Sequence, residues 1–379
     1  MEKVRNYKKK GVPTMIKHKD HFHGSDLEEI EKCFGIKKET IVSFSANVNP
    51  LGISTRLRTA LGEQLDAITR YPDREYLKLR QCISSYTGAQ TENIIVGNGS
   101  TELISLLIGQ RNARHALVIG PTYSEYKREL SLTGGRISNY YLDESQDFRL
   151  DMDDLKHTLA DDVDFLILCN PNNPTSSALT QSELRSLAEL CKERDIFIMI
   201  DETYVEFAPS VEEITAIPLV SDYDNLMILR GVSKFFAAPG LRLGYGITSN
   251  QRFLDELKRH QNPWSLNSLG AYAGELMLKD TDYINRTREL ILSERSRCLA
   301  ALKEFHHVKV YPAYGNFILI KIVKEDIASF DMFEHAIKQG MMIRDCSSFE
   351  GLPGEYVRFC IMKPEDNTRL LNCMRELLA

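Results

Sequence analysis

The sequence predicts an α/β fold, with a mostly parallel central sheet flanked by helices and a smaller α+β domain. From about residue 94 onward, continuous apolar runs such as "FLILC" alternate with amphipathic stretches of helix length. Continuous Val/Ile/Leu runs are typical of strands that are covered on both faces, as in parallel βαβ units. The pattern changes after "HQNPWSLNS", where long charged helices and short β-rich stretches follow.

The predicted elements follow one another along the chain. A strand in "NIIVGNGS" precedes the helix "TELISLLIG", and one in "HALVIGP" precedes "TYSEYKRELSLTGG". A third strand, in "VDFLILCNPNNP", precedes "TQSELRSLAELCKERD", and the strands "IFIMIDE" and "NLMILRG" come next. The last third contains the helix "YINRTRELILSERSRCLAALKEF", the strands "NFILIKI", "MMIRDC" and "YVRFCI", and a closing helix.

These elements divide the chain into four parts. Residues 46–284 form a large domain and residues 285–379 a small domain. Residues 21–45 are expected to pack with the small domain, and residues 1–20 form a basic, solvated tail. Gly, Asn and Pro are frequent where the strands of the large domain end, which is where open α/β sheets present their ligand loops.

Composition excludes several classes of partner. The net charge of −6 does not favour nucleic acid or an anionic membrane surface. No apolar run approaches the roughly 18 to 20 residues needed to span a bilayer, and the N-terminus lacks the apolar region of a secretory signal. The eight cysteines include no C-x-x-C pair, which indicates reduced thiols, a cytoplasmic location and no thiolate metal site.

Four kinds of chemical group follow the predicted strands. Lys234 lies beside two phenylalanines and two alanines, and desolvation of this kind makes an amine nucleophilic. Asn173 follows one strand, Asp201 ends the next, and "GNGST" offers helix N-terminal amides to an anion. Pyridoxal phosphate needs this set: an amine for its aldehyde, an acid for its ring nitrogen, a donor for its phenolic oxygen and a phosphate cradle.

At these residues the sequence resembles the fold-type-I pyridoxal-phosphate enzymes of the class I/II aminotransferase superfamily, over nearly the whole chain. The motifs that carry the resemblance are "NPNNPT", "DETYVEF" and "SKFFAAPGLRLGY". It implies that Lys234 binds the cofactor aldehyde and that Asp201 is the partner of the ring nitrogen. It also implies contacts of Asn173 and Tyr204 with the phenolic oxygen, of Tyr123 with the ring, and of Ser100, Thr101, Ser233 and Arg242 with the phosphate. Gly231 departs from the pattern, because the family often has a hydroxyl there that binds the phosphate.

Two branches of the superfamily resemble the chain. Threonine-phosphate decarboxylases of cobalamin synthesis share "HGSDLEEIEKCFGI", "SFSANVNPLGIS", "RYPDREY" and "IRDCSSFEGLPGEYVRF". Histidinol-phosphate aminotransferases share "GNGS", "PTY" and "NPNNPT", and Ser100 and Tyr123 favour this second branch. The first branch implies decarboxylation of O-phospho-L-threonine to aminopropanol phosphate. The second implies amino-group transfer on histidinol phosphate or another amino acid.

The substrate is expected to be a small phosphorylated amino acid. Arg344 and Arg358 lie in two apolar strands of the small domain, and guanidinium groups bind carboxylates bidentately. Surface ion pairs are the alternative for these two residues. The resemblance adds His23, Asn49 and Tyr71 at the phosphate end of the substrate, with Tyr71 reaching in from the second subunit of a homodimer whose active site lies at the interface. His23 could equally be a core histidine.

The sequence does not determine which bond to the substrate α-carbon breaks. A bond to the substrate α-carbon breaks when it stands perpendicular to the cofactor ring, so the orientation of the carboxylate decides between decarboxylation and transfer. A non-enzymatic alternative is a βαβ nucleotide-binding or regulatory module with "GNGS" as its phosphate loop. The chain lacks both G-x-x-x-x-G-K-[ST] and a strand-linked G-x-G-x-x-G, which does not favour that alternative.

Overall fold

The computed structural model describes residues 26–379. The predicted tail at residues 1–20 and the candidate His23 lie outside the described residues. The strands are β1 (Val42–Ser43), β2 (Ile94–Asn98), β3 (His115–Gly120), β4 (Arg136–Tyr141), β5 (Phe165–Cys169), β6 (Phe197–Asp201), β7 (Leu226–Gly231), β8 (Leu243–Ile247), β9 (Val308–Val310), β10 (Phe317–Ile322), β11 (Met341–Met342), β12 (Arg344–Asp345) and β13 (Tyr356–Cys360).

The helices complete the large and small domains. They are α1 (Leu27–Phe34), α2 (Thr55–Glu63), α3 (Leu77–Thr87), α4 (Gly99–Arg111), α5 (Glu125–Ser131), α6 (Met152–Thr158), α7 (Gln181–Glu193), α8 (Gln251–His260), α9 (Ser268–Met277), α10 (Thr281–Leu302), α11 (Ser329–Lys338) and α12 (Pro364–Leu378). Their ends follow local chemistry. Before α7, for example, Thr180 and Glu183 form a reciprocal capping box that satisfies two free amides.

Within residues 26–379, seven strands form the large sheet in the order β2-β8-β7-β6-β5-β3-β4. All neighbours are parallel except β8, which runs antiparallel to both β2 and β7. Successive residues of β5 and β6 alternate between two hydrophobic clusters, one on each face of the sheet. This two-sided burial explains the unbroken apolar runs and confirms the predicted fold class. The antiparallel direction of β8 could not be read from its composition, because apolar runs carry no information about strand direction.

A second sheet, in the order β12-β13-β10-β9 and with antiparallel strands, is formed by the region that the sequence predicts as the small domain. Helix α10 runs without a break across the position at which the sequence predicted the boundary between the large and small domains. In the segment before the large domain, β1 pairs in parallel with β11, and Phe34 packs edge-on against Phe333 of α11 with a ring separation of 6.1 Å. None of the described helices is long and apolar enough to cross a bilayer.

Candidate active site

The carboxyl ends of β5, β6 and β7 meet at one edge of the large sheet, beside a cavity of about 530 Å³. Parallel strands deliver the residues that follow them to the same edge. For this reason Asn173, Asp201 and Lys234 line one cavity although they are far apart in the sequence. The other predicted residues that line it are Ser100, Thr101, Tyr123, Tyr204, Ser233, Arg242, Arg344 and Arg358.

Lys234 lies in the turn after β7, and its Nζ donates a hydrogen bond to the carbonyl oxygen of Ala46 at 2.7 Å. Burial, assisted by the positive charge of Arg358, lowers the pKa of Lys234 to about 8. At pH 7 about one tenth of such amines are uncharged, compared with about one in three thousand at an ordinary lysine pKa. The side chain still faces the cavity, so an uncharged amine is available there as a nucleophile.

Asp201 is 4% exposed and is held by three hydrogen bonds. Tyr126 Oη donates to its Oδ2 at 2.6 Å, and both the backbone N and the Oγ1 of Thr203 donate to its Oδ1, at 2.9 and 2.6 Å. A carboxylate has about four acceptor positions, so one remains for a further donor in the cavity. Tyr126 was not predicted from the sequence, because it reaches Asp201 only through the packing of α5 against the sheet.

The neighbouring Glu202 points to the opposite face of the sheet. It is fully buried, and its Oε2 accepts hydrogen bonds from Nη2 and Nε of Arg230 at 2.7 and 2.9 Å. Its Oε1 accepts the backbone N–H of Ala216 at 2.6 Å. Side chains alternate across a strand, so adjacent acids at the end of β6 face different surroundings. The Asp201 carboxylate therefore faces the cavity, whereas Glu202 stabilises the fold.

The N-terminus of α4 forms the third part of the cavity. Gly99 has φ = +81°, and a Cβ at this position would collide with the guanidinium of Arg242. The guanidinium is therefore packed directly against the start of the helix, where Ser100, Thr101 and Ser233 also line the cavity. Free amides, the positive end of the helix dipole and an arginine together form a site suited to a phosphate.

Gly231, which departs from the family pattern, lies at the end of β7 beside this site. A Cβ on Gly231 would lie 3.3 Å from the carbonyl oxygen of Leu243, which is closer than a side chain ordinarily tolerates. The hydroxyl oxygen of Ser100 lies 3.8 Å from the same point. The Ser100 hydroxyl is therefore a neighbour of the position at which the family often has an additional hydroxyl.

Tyr123, Tyr204 and Asn173 contribute two phenols and an amide to the lining of the cavity. The ring of Tyr123 meets that of Tyr126 edge-on at 5.6 Å, and burial raises the pKa of Tyr123 to about 12. Burial also raises the pKa of Tyr204, so both phenols remain protonated and can donate hydrogen bonds at neutral pH. The Oδ1 of Asn173 accepts a hydrogen bond from Nη1 of Arg358.

Arg344 and Arg358 lie directly opposite each other in the antiparallel pair β12–β13. The Nη2 of Arg358 donates to the carbonyl oxygen of Ser45 at 2.7 Å, and the Nη2 of Arg344 donates to Oγ of Ser348 at 2.9 Å. Both arginines are at least nine-tenths buried, and burial lowers the pKa of Arg344. Two guanidinium groups side by side in one cavity are suited to a ligand with anionic groups.

Two predicted substrate residues lie elsewhere in the structure. Asn49 is 2% exposed, and its Nδ2 donates to the carbonyl oxygen of Phe235 at 2.8 Å and to the hydroxyls of Tyr283 and Thr287. These bonds use its amide group inside the protein, so Asn49 does not face the cavity. Tyr71 is 81% exposed, lies outside the cavity and packs on Trp264 with a ring separation of 4.7 Å.

The cavity also contains residues that the sequence analysis missed. Ser45, Ala46 and Asn47 form one wall of it, and Ser348, Phe349 and Glu350 form another. Both stretches lie within motifs of the family resemblance, "SFSANVNPLGIS" and "IRDCSSFEGLPGEYVRF", but no periodicity in them indicates which side chains face the cavity. They reach the cavity through the pairing of β1 with β11 and of β12 with β13, which the sequence alone does not specify.

The residues present fit pyridoxal phosphate. Lys234 supplies an amine, Asp201 retains one free acceptor position, and the α4 N-terminus with Arg242 forms a phosphate cradle that a side chain at Gly99 would fill. When Lys234 binds the aldehyde, Asp201 is the acid available to the ring nitrogen and Tyr123 is the aromatic ring available for stacking.

Comparisons with known proteins agree with this architecture. Residues 39–373 match the family described as Aminotransferase class I and II. A threonine-phosphate decarboxylase from Salmonella typhimurium is 35% identical over 94% of this chain and 96% of its own, and a histidinol-phosphate aminotransferase from Methanococcus aeolicus is 31% identical over 97% and 99%. The crystal structure of the histidinol-phosphate aminotransferase from Clostridium acetobutylicum superimposes with a TM-score of 0.82 at 32% identity, covering 88% of this chain and 98% of that one. The chain therefore belongs to the class I and II aminotransferase family.

Proposed function

We propose that this chain decarboxylates O-phospho-L-threonine to aminopropanol phosphate, as in cobalamin synthesis, with pyridoxal phosphate as its cofactor. The observation that carries the proposal is the adjacent pair Arg344 and Arg358 in the cavity of Lys234. Phosphothreonine has a carboxylate and a phosphate beside its amine, so it matches two guanidinium groups. The 35% identity to a threonine-phosphate decarboxylase supports the same substrate.

Bound pyridoxal phosphate supplies an electron sink for the negative charge that develops at the substrate α-carbon. With the cofactor bound, Asp201 would keep the ring nitrogen protonated, and Ser100, Thr101, Ser233 and Arg242 would hold the phosphate at the α4 N-terminus. Tyr204 and Asn173 would donate to the phenolic oxygen. Together these residues would keep the cofactor in one orientation.

The remaining residues act on the substrate. Arg358 lies closer to Asn173 and to the wall at Ser45, so it orients the carboxylate, whereas Arg344 meets the second anionic group. Loss of carbon dioxide requires the carboxylate to stand perpendicular to the cofactor ring, and a proton then has to reach the α-carbon. Lys234, with a pKa near 8, exists in both protonation states near neutral pH and is suited to deliver that proton.

The second candidate function is amino-group transfer on histidinol phosphate. The 32% identity and TM-score of 0.82 to a histidinol-phosphate aminotransferase favour it. In that reaction Lys234 would remove the α-hydrogen instead, with the same cofactor contacts. Histidinol phosphate carries one anionic group and no carboxylate, so one of the two arginines would bind the second substrate, a keto acid. Family membership argues against the non-enzymatic nucleotide-binding alternative.

We also propose that the protein acts as a cytoplasmic homodimer with the active site at the subunit interface. The ring of Tyr71 is 81% exposed, as expected for a residue that completes the cavity of a second subunit. The eight cysteines all lie within the described residues and are free. Sedimentation of the purified protein tests the dimer, and Tyr71→Ala should lower activity without loss of the fold.

The deciding experiment supplies the purified, cofactor-loaded enzyme with phosphothreonine and measures carbon dioxide and aminopropanol phosphate. A parallel reaction contains histidinol phosphate and 2-oxoglutarate and measures glutamate. Release of carbon dioxide from phosphothreonine without glutamate formation supports the proposal. Glutamate formation without carbon dioxide release assigns the chain to the aminotransferases.

A further inference from the structure

A short segment between β12 and β13, residues 346–352, forms one wall of the cavity. Within it, the backbone N of Phe349 donates to the carbonyl oxygen of Cys346 at 3.0 Å, which closes a tight turn. The hydroxyl of Ser348 accepts from Arg344 at 2.9 Å, and the Arg344 guanidinium lies over the Phe349 ring at 5.5 Å. The 346–352 segment therefore holds one of the two arginines on two sides.

The same segment is attached to the large domain by Glu350, the residue that follows Phe349. The hydroxyl of Tyr141, at the end of β4, donates to Oε1 of Glu350 at 2.5 Å, and Nζ of Lys127 on α5 forms an ion pair with Oε2. Gly351 packs on the Tyr141 ring so closely that a Cβ would collide with it. Lys127 and Glu350 both line the cavity, so this attachment bridges the small and large domains at the active site.

We propose that Glu350 is a positioning residue for the reaction. By attaching the 346–352 segment to Lys127 and Tyr141, it holds Ser348 and Phe349 against Arg344. The position of that guanidinium then depends on a contact with the large domain, which also carries the cofactor site. The proposal rests on the proposed function, in which Arg344 binds an anionic group of the substrate.

The strength of the attachment sets the size of the expected effect. The Glu350 side chain is 66% exposed, so its ion pair with Lys127 is weak and is screened by salt. The hydrogen bond from Tyr141 to a charged acceptor is the stronger of the two contacts. Loss of both contacts should raise KM by about 5- to 30-fold, with kcat changed less than about threefold, because the cofactor residues are untouched.

The structure offers a matched control in Glu144. This residue of the large domain also binds the small domain, accepting from Lys321 at 2.6 Å, from Tyr311 at 2.7 Å and from Lys309 at 3.1 Å, but none of these partners belongs to the 346–352 segment. If Glu350→Ala acted only by loosening the contact between the two domains, Glu144→Gln would raise KM to a similar extent. Because Glu144 does not contact the 346–352 segment, we expect Glu144→Gln to leave the KM for the phosphorylated substrate within about twofold of wild type.

The kinetic test compares Glu350→Ala, Glu144→Gln and the charge-reversed pair Lys127→Glu with Glu350→Lys, using whichever of phosphothreonine and histidinol phosphate the wild type turns over. We expect KM to rise in Glu350→Ala and to return at least partly in the charge-reversed pair. The affinity of each apoprotein for pyridoxal phosphate should stay within about twofold. An equal rise of KM in Glu144→Gln, or a loss of kcat alone in Glu350→Ala, would overturn the proposal.

A second measurement does not depend on activity. Phenylglyoxal modifies accessible arginines, and mass spectrometry reports the rate at each site. Glu350→Ala should speed modification of Arg344 about fivefold or more and leave Arg358 unchanged, because the Arg358 guanidinium is held by Asn173 and Ser45 and not by the side chains of the 346–352 segment. Equal rates at Arg344 in wild type and variant would refute the positioning role. If the wild type turns over neither phosphorylated amine, the proposed function fails, and the labelling rates alone decide the role of Glu350.

Discussion

The two acids at the end of β6 allow a prediction in which one substitution removes activity and its neighbour removes stability. Asp201→Asn keeps the size of the side chain and removes its charge. The remaining amide oxygen can accept from Thr203, and the hydroxyl of Tyr126 can rotate to accept from the new amide nitrogen. We therefore expect Asp201→Asn to fold with nearly the stability of wild type.

The loss of activity follows from electrostatics. A carboxylate and a protonated ring nitrogen about 4 Å apart, at an effective dielectric near 20, attract each other by about 4 kcal/mol. Without that attraction the ring nitrogen loses its proton and the electron sink weakens. A loss of about 4 kcal/mol in the transition state lowers kcat by about a thousandfold.

Glu202→Gln is the matched control. It breaks the buried pair with Arg230 and removes the carboxylate to which the guanidinium is hydrogen-bonded, which costs about 3 to 5 kcal/mol of folding free energy. Its kcat per folded molecule should remain close to wild type, because Glu202 faces away from the cavity. The assays are urea unfolding and carbon dioxide release under saturating substrate. An Asp201→Asn enzyme within about tenfold of wild type, a change of about 1.4 kcal/mol, would show that Asp201 does not face the cofactor.

Further predictions concern the other titrating and hydrogen-bonding groups of the site. Lys234→Ala should abolish turnover and the visible absorbance of the bound cofactor; a variant that keeps both would show that another amine binds the aldehyde. Because burial lowers the pKa of Lys234 to about 8, the rate at which wild-type apoprotein takes up pyridoxal phosphate should rise with pH until about pH 8 and then level off. Tyr126→Phe removes one donor to the acid beside the ring nitrogen and should lower kcat about 5- to 30-fold with little change in KM, as measured by steady-state kinetics. Arg358→Ala should weaken binding of phosphothreonine by about 2 to 5 kcal/mol and nearly preserve binding of aminopropanol phosphate, and Arg344→Ala should weaken both; equal losses for both ligands in Arg358→Ala would contradict the assigned carboxylate contact. Burial raises the pKa of Glu206 to about 7, so its charge lowers stability increasingly as the pH rises from about 4.5 to 7; Glu206→Gln should therefore gain about 1 to 3 kcal/mol at pH 8 and little at pH 5 in urea unfolding.

The gathering of Asn173, Asp201 and Lys234 at one cavity could be predicted from the sequence because these residues follow buried strands. Asp201 ends β6, Lys234 follows β7, and parallel strands bring such positions to one edge. The strand boundaries were visible as apolar runs, and the side that each residue faces follows from the alternation along a strand. Tyr126 could not be found in this way, since its contact with Asp201 depends on how α5 packs against the sheet.

At the substrate end, the sequence does not indicate side-chain direction in irregular segments. Asn49 lies in a loop, where no periodicity indicates which way a residue points, and its amide is used by Tyr283, Thr287 and Phe235 within the protein. The 346–352 segment lies within the motif "IRDCSSFEGLPGEYVRF", but its contacts could not be assigned for the same reason. They depend on the β12–β13 pairing and on Lys127 and Tyr141, more than two hundred positions earlier in the chain.

The division between the two ends of the site explains why the cofactor is easier to predict than the reaction. Lys234, Asp201 and Arg242 all belong to the large domain, so the local order of its strands and turns determines that they meet at one cavity. Arg344 and Arg358 belong to the sheet of the small domain, and their effect depends on how they present the substrate carboxylate to a cofactor held by the other domain. A rotation of the substrate that adds no new contact decides whether carbon dioxide or the α-hydrogen leaves. Residues that set the position of these arginines relative to the large domain are therefore the places where decarboxylases and aminotransferases of this family should differ, and Glu350 is the residue of this chain to which that argument applies most directly.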